Sequence, residues 1–258
     1  MEFIEVERRD RVTWITLARP EVMNAINTAM HHELQAAFDD FASDPEQFVC
    51  VVTGKGARAF CAGSDLKASA AGDRGGYPRN GYAGLIERYD LAKPLIAAVN
   101  GLALGGGFEI VLACDIVLAA ETAVFGLPEP LVGAVALGGG LHRLVRQIPV
   151  KQAMGMILTG RKVSASEGRQ LGFVNEVVEP GALEAAAARW CEDILKASPM
   201  AIRASKETAY RGLDEPSLAQ AMSRQATYPA FAALFDSEDA KEGPRAFAEK
   251  RLPKWKGR

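Results

Sequence analysis

From Lys93 to Arg143 the chain carries no lysine or arginine between those two residues, yet four carboxylates lie inside: Glu109, Asp115, Glu121 and Glu129. The intervening text, KPLIAAVNGLALGGGFEIVLACDIVLAAETAVFGLPEPLVGAVALGGGLHR, is almost wholly apolar and rich in glycine. A segment of this kind belongs in the interior of a fold. Its carboxylates must reach solvent, find a distant cation or hold a proton, because desolvation disfavours the ion and raises the pKa. Two acids near glycine turns in such surroundings point to acid/base chemistry. Asp115 and Glu121 read as a turn residue and a loop residue.

At 258 residues the chain is long enough to bury a large core. A net charge of −2 gives no global basic field for nucleic acid or an anionic membrane. The N-terminus, MEFIEVERRDRVTWITL, alternates charged and apolar residues and does not read as an apolar signal. The uncharged run Pro94–Phe108 is shorter than the roughly 20 residues of a spanning helix. Cys50, Cys61, Cys114 and Cys191 show no paired spacing. These features predict a soluble, cytoplasmic protein. With only His31, His32 and His142, a His-rich metal site and a Ser-His-Asp arrangement are both poorly supplied. His31 and His32 fall on an amphipathic pattern and read as part of its solvated face.

Residues 2–8 and 11–18 alternate and predict a β-hairpin. Asn27 can cap a helix to about Phe41, with Leu34, Ala37, Phe38 and Phe41 on one face. FVCVVT (48–53) and Leu95–Val99 read as buried strands, and Gly105–Cys114 as a glycine-opened helix. Residues 68–84 hold five glycines and one proline and predict a mobile loop that shapes the site. Helices are expected over 85–92 and, beyond Gly138, over 139–147, 150–158, 165–171, 182–197, 199–211, 215–233 and 237–250. This order predicts an α/β core over 1–197 followed by a helical region over 198–258.

Three constellations carry chemistry. In Leu104-Gly-Gly-Gly-Phe-Glu109, glycines open a helix whose first N–H groups can face negative charge, with Glu109 within a turn of them. In Phe60-Cys-Ala-Gly-Ser-Asp-Leu-Lys67, a strand ends in a second exposed glycine turn. Phe125-Gly-Leu-Pro-Glu129 presents the second acid from non-helical backbone. Two glycine turns can supply the two converging donors that an oxyanion site requires.

These residues resemble the crotonase, or enoyl-CoA hydratase/isomerase, superfamily. The carriers are AFCAGSDLK (59–67), KPLIAAVNGLALGGGFE (93–109), CDIVLA (114–119), FGLPE (125–129), LTGRKVSASEGRQLGFVNEVV (158–178) and SEDAKEGPRAFAEKR (237–251), in the family's order over nearly the whole chain. GGFE and the C-terminal stretch look most like the carnitinyl-CoA dehydratase branch. The resemblance implies a crotonase-like (ClpP/crotonase) spiral of ββα units, with a C-terminal helical region that mediates homotrimers, commonly dimers of trimers. It implies an acyl-CoA thioester substrate, as in fatty acid metabolism, and no metal or redox cofactor, coenzyme A being part of the substrate. On the family's pattern, the backbone N–H groups of Ser64 and Gly106 form the oxyanion hole, and Glu109 and Glu129 are the two catalytic acids. Ala62, Ser64, Asp65, Leu66, Lys67 and Gly106 match the stretch along CoA and substrate, and Phe247 and Lys250 match positions that reach a neighbouring subunit's CoA.

The implied activity is that of an enoyl-CoA hydratase, adding water reversibly across a 2-trans-enoyl-CoA through a thioester enolate. Carnitinyl-CoA dehydration and enoyl-CoA isomerisation use the same enolate. A non-catalytic CoA- or RNA-binding paralogue is disfavoured by retention of both acids and both glycine turns, and a serine hydrolase using Ser64 by the lack of a His partner. One departure stands out. Ala136 and Leu137 replace the family's usual proline and small or polar residue near the catalytic water. The Leu137 side chain is expected to reshape or dry the pocket.

Overall fold

The computed structural model describes residues 1–73 and 75–258, without the side chain of Ser69; Arg74, inside the loop expected over 68–84, lies outside the described residues. The chain opens with the hairpin β1 (Ile4–Arg9) and β2 (Val12–Leu17), paired antiparallel. Helix α1 (Thr28–Ser43) follows, and the Asn27 side chain accepts from the Met30 N–H at its start. Three ββ pairs come next: β3 (Val49–Gly54) with β4 (Ala59–Cys61), β5 (Leu95–Val99) with β6 (Leu102–Leu104), and β7 (Ile116–Ala120) with β8 (Val124–Gly126). Each pair leads to a helix, respectively α2 (Leu66–Ala70), α3 (Gly106–Ala113) and α4 (Gly140–Gln147).

The first strand of each pair joins a six-stranded sheet ordered β1-β2-β3-β5-β7-β10, where β10 is Glu176–Val178. The second joins a four-stranded sheet ordered β4-β6-β8-β9, where β9 is Val163–Ser164. Strands β3, β5 and β7 run parallel, as do β4, β6 and β8. The repeated step from one sheet to the other is the ββα spiral, and the fold is that of the crotonases.

The continuous apolar runs have a direct cause: the large sheet is covered on both faces. Cys50, Val52, Ala97 and Val99 point into the main core with α1 and α3. Their neighbours Val49, Val51, Ile96 and Ala98 face a second cluster, closed by Leu183, Ala186, Ala187 and Cys191 of α7 (Leu183–Leu195), which follows α5 (Val150–Thr159) and α6 (Ala165–Leu171). The C-terminal region is α8 (Pro199–Leu213), α9 (Leu218–Arg224), α10 (Pro229–Asp236) and α11 (Glu238–Ala248). Lys206 of α8 ties it to the core by donating to the Lys93 carbonyl (2.9 Å) and pairing with Asp115 (2.7 Å). None of the described helices is long and apolar enough to cross a membrane.

Four expectations are corrected. Residues 85–92 form turns instead of a helix, since Ala83 (φ 56°) and Gly84 (φ 61°) reverse the chain just before them and Leu85, Ile86 and Leu91 all drop into the core. The helix expected over 215–233 is split by a 3₁₀ turn at Gln225–Thr227, and Pro229 starts the next helix from extended Tyr228. The stretch expected as a loop over 68–84 begins inside α2 (Leu66–Ala70) and ends in the 3₁₀ turn Tyr82–Gly84, and three of its residues contact α1: Asp73 accepts from the Thr28 N–H (3.1 Å), Asn80 exchanges hydrogen bonds with Gln35 (2.8 and 3.0 Å), and Arg79 pairs with Asp39 (2.8 Å). His31 is buried, not solvated, whereas His32 is exposed.

Candidate active site

Strands β4, β6 and β8 lie side by side and parallel, so their C-terminal ends emerge together. Strand β4 runs into Ala62-Gly63-Ser64, β6 into Gly105-Gly106, and β8 into Leu127-Pro128-Glu129. The three constellations therefore meet at one edge of the small sheet. This is where parallel α/β folds generally place their ligands.

The triple glycine is required by close approach at each position. A Cβ on Gly105 (φ 55°) would sit 2.9 Å from Glu129 Oε1, one on Gly106 would strike the Tyr82 ring, and one on Gly107 would strike the Cys61 carbonyl. Gly63 (φ 93°) packs equally tightly, its Cβ direction ending 3.3 Å from the Gly106 nitrogen. The turns bearing Ser64 and Gly106 are thus in contact. Among the described residues neither of these two amides donates a hydrogen bond to an acceptor. Gly106 is the first residue of α3, so helix geometry leaves its N–H free.

Glu109, one turn into α3, is 3 % exposed. Its Oε1 accepts from the Gly140 N–H at 2.9 Å. Burial pushes its carboxyl up from 4.5 to about 7; the Gly140 N–H counters this, the neighbouring Glu129 adds to it, and the Gly138 N–H and Arg143 lower it again. Such a rise disfavours the ion by roughly 3 kcal/mol. Burial therefore outweighs a charge-assisted hydrogen bond of about 1.5–3 kcal/mol. The Arg143 guanidinium, where the cation-free stretch ends, is held by the Ile86 carbonyl at 2.6 Å.

Glu129 begins a 3₁₀ turn, Glu129–Val132, and is half-buried. Burial raises its pKa too, against a hydrogen bond from its own N–H. Its Oε2 is buried with no hydrogen-bond partner among the described residues. A half-satisfied carboxyl beside free backbone donors is poised to exchange a proton with something placed between them.

The other residues singled out in the sequence divide clearly. Ala62 and Ser64 lie in the β4 turn, and Leu66 and Lys67 are exposed at the start of α2. Asp65 turns inward, pairing with Arg19 at 3.0 Å and accepting from the Ala68 N–H at 3.0 Å, which holds its carboxyl below the usual range. Phe247 and Lys250 are exposed at the end of α11, which packs on α8 and α10. Leu137 is 82 % exposed, and Gly138 and Gly140 are the residues packed on the Glu109 carboxyl. Sequence reasoning missed those two glycines and Tyr82. The second triple glycine, 138–140, was the available signal. No group of three or more His, Cys, Asp or Glu suited to a metal ion occurs among the described residues.

A buried carboxyl, Glu109, and a half-buried one, Glu129, thus lie close to two glycine turns at the ends of parallel strands on a crotonase fold. Residues 7–258 match the enoyl-CoA hydratase/isomerase family, and the chain belongs to it. Among its relatives, the carnitinyl-CoA dehydratase of Proteus mirabilis (strain HI4320) is 41 % identical over 259 residues, spanning 99 % of this chain and 98 % of the relative. That of Salmonella typhi is 42 % identical over 261 residues, spanning 100 % and 99 %. Of the solved structures, an enoyl-CoA hydratase from Mycobacterium tuberculosis H37Rv matches at TM-score 0.93 with 41 % identity, and a carnitinyl-CoA hydratase from Mycobacterium avium at TM-score 0.79 with 43 %, each over 100 % of both chains.

Proposed function

We propose that this protein is an enoyl-CoA hydratase, adding water to a 2-trans-enoyl-CoA to give the 3-hydroxyacyl-CoA and catalysing the reverse. The observation that carries the reading is the meeting of Glu109 and Glu129 with the Gly63–Ser64 and Gly105–Gly106 turns. The thioester oxygen accepts from the Ser64 and Gly106 amides. As water attacks C3, a proton passes from the water to the Glu109 carboxylate and the C2=C3 electrons move toward the thioester as an enolate. C2 then takes a proton from the Glu129 carboxylic acid. At about 7 the Glu109 carboxyl titrates near neutrality and can act as the carboxylate that takes the water proton, while burial shifts Glu129 in the direction that favours its acid form. CoA runs along Ala62–Lys67, and Phe247 and Lys250 extend its site across a homotrimer.

A second reading is favoured by the relatives named as carnitinyl-CoA dehydratases: the same chemistry on a carnitinyl group. Purified protein is incubated with crotonyl-CoA, crotonobetainyl-CoA and a 3-enoyl-CoA, and products are read by mass spectrometry and chromatography. Water added to crotonyl-CoA, and lost in Glu109→Gln and Glu129→Gln, is the expected result. Water added to crotonobetainyl-CoA alone selects the second reading. Isomerisation of the 3-enoyl-CoA with neither hydration overturns both.

A further inference from the structure

The two amide-presenting turns are spanned by one side chain that belongs to neither. Tyr82 lies on the short 3₁₀ turn Tyr82–Gly84 and is 3 % exposed. Its ring covers Gly106 so closely that no Cβ would fit there. Its hydroxyl meets the Ser64 Oγ at 3.3 Å. A single phenol thus touches the turn after β4 and the first residue of α3, whose Ser64 and Gly106 amides are the thioester donors of the proposed function. Burial holds the phenol protonated far above its ordinary range, so it stands there as a neutral group that can share a hydrogen bond.

The position of Tyr82 is itself fixed from α1. The His31 ring packs edge-on to it with centroids 4.6 Å apart, and Tyr77 adds a third ring at 5.7 Å from Tyr82 and 5.1 Å from His31. The His31 Nδ1 accepts from the Ala83 N–H at 2.9 Å, next to Tyr82 in sequence. Ala83 sits at φ 56°, a left-handed conformation that costs on the order of 1 kcal/mol for a residue with a Cβ. The hydrogen bond to His31 holds it there. Because Nδ1 accepts, the ring must be neutral; burial, with the adjacent His32, lowers its pKa to about 4, opposed weakly by Asp73.

We propose that Tyr82 is a positioning residue for the thioester site, setting the spacing of the Ser64 and Gly106 amides, and that His31 sets Tyr82. This rests on the hydratase reading of those amides. The chain of contacts is continuous from α1 through Ala83 and Tyr82 to both turns.

The test separates amide geometry from turnover. Butyryl-CoA, which has no double bond to hydrate, is bound to the protein and the infrared stretch of its thioester carbonyl is compared with that in water. Wild type is expected to lower the frequency, because two donors polarise the carbonyl. Tyr82→Phe and His31→Phe are each expected to reduce that displacement by about half and kcat on an enoyl-CoA by about tenfold, less than the 10²–10³ for loss of a donor outright. KM is expected to stay within about twofold, and His31→Asn, whose Oδ1 can accept in place of Nδ1, to restore both readouts. Circular dichroism confirms that each variant is folded. A wild-type displacement retained in Tyr82→Phe and His31→Phe overturns the positioning role. Absence of any displacement in wild type overturns the oxyanion reading instead.

Discussion

Glu109 and Glu242 are the same residue placed in opposite surroundings. Glu109 is packed against Gly138 and Gly140, and burial pushes its carboxyl up to about 7. Glu242, on α11, meets Arg251 through both oxygens (2.6 and 3.0 Å) and accepts from the Lys254 N–H (2.7 Å), which brings it down to about 2. One carboxyl keeps its proton near neutrality and the other gives it up in strong acid. The difference lies in the neighbours: burial against glycines around the first, a guanidinium clamped on the second.

The sharpest way to break this comparison is to remove the proton chemistry at one end only. Glu109→Gln and Glu129→Gln are each expected to lower kcat by about 10²–10⁴ with little change in KM. Steady-state kinetics on the preferred enoyl-CoA reads the effect, and a loss under fivefold in either would remove that acid from the mechanism. A subtler break leaves both acids in place. In Gly138→Ala the added methyl collides with Glu109 Oε2. Displacing a catalytic group by about 1 Å can cost up to 10² in rate, so a kcat reduction of about tenfold or more is expected. Unchanged kcat would show that the glycine is not needed against the carboxyl.

Stability sharpens the contrast further, because the two acids act with opposite sign. Glu109 titrates at about 7 in the fold and near 4.5 when unfolded, so the folded state binds more protons between those values and loses stability as pH rises through them. Glu109→Gln is therefore expected to raise Tm relative to wild type at pH 8, by a few degrees, with the gap closing toward pH 4.5. Glu242 titrates lower in the fold, at about 2, so its contribution is present above 4.5 and is lost as pH falls toward 2. Glu242→Gln is expected to lower Tm slightly at pH 8 and to leave kcat within twofold. Thermal melts across this pH range read both; gaps of the same sign would refute the contrast.

Much of the fold could be read from local text. The runs 48–53 and 95–99 announce strands covered on both faces, and Gly105–Gly107 announces a helix start. The small sheet was harder, because β6 has three residues and β9 two, too short for any periodicity to register. His31 was misplaced although it shares the 31, 34, 38, 41 stripe of α1 with Leu34, Phe38 and Phe41; its polarity argued for solvent, and only the Ala83 N–H gives it a buried partner. Glu109 and Glu129 stood out from the missing cations around them. The value near 7 was not legible, since it depends on Gly138, Gly140 and Arg143 arriving from 29 or more residues along the chain. The link from Tyr82 to Ser64 and Gly106 is likewise made only by tertiary packing.

The most direct measurement is an infrared difference titration of the carboxyl C=O stretch in wild type and Glu109→Gln. A protonated carboxyl that persists up to about pH 7 in wild type, and is missing from Glu109→Gln, is the predicted result. If the Glu109 carboxyl is already ionised above about pH 5, burial does not control its proton and the account of the site is contradicted.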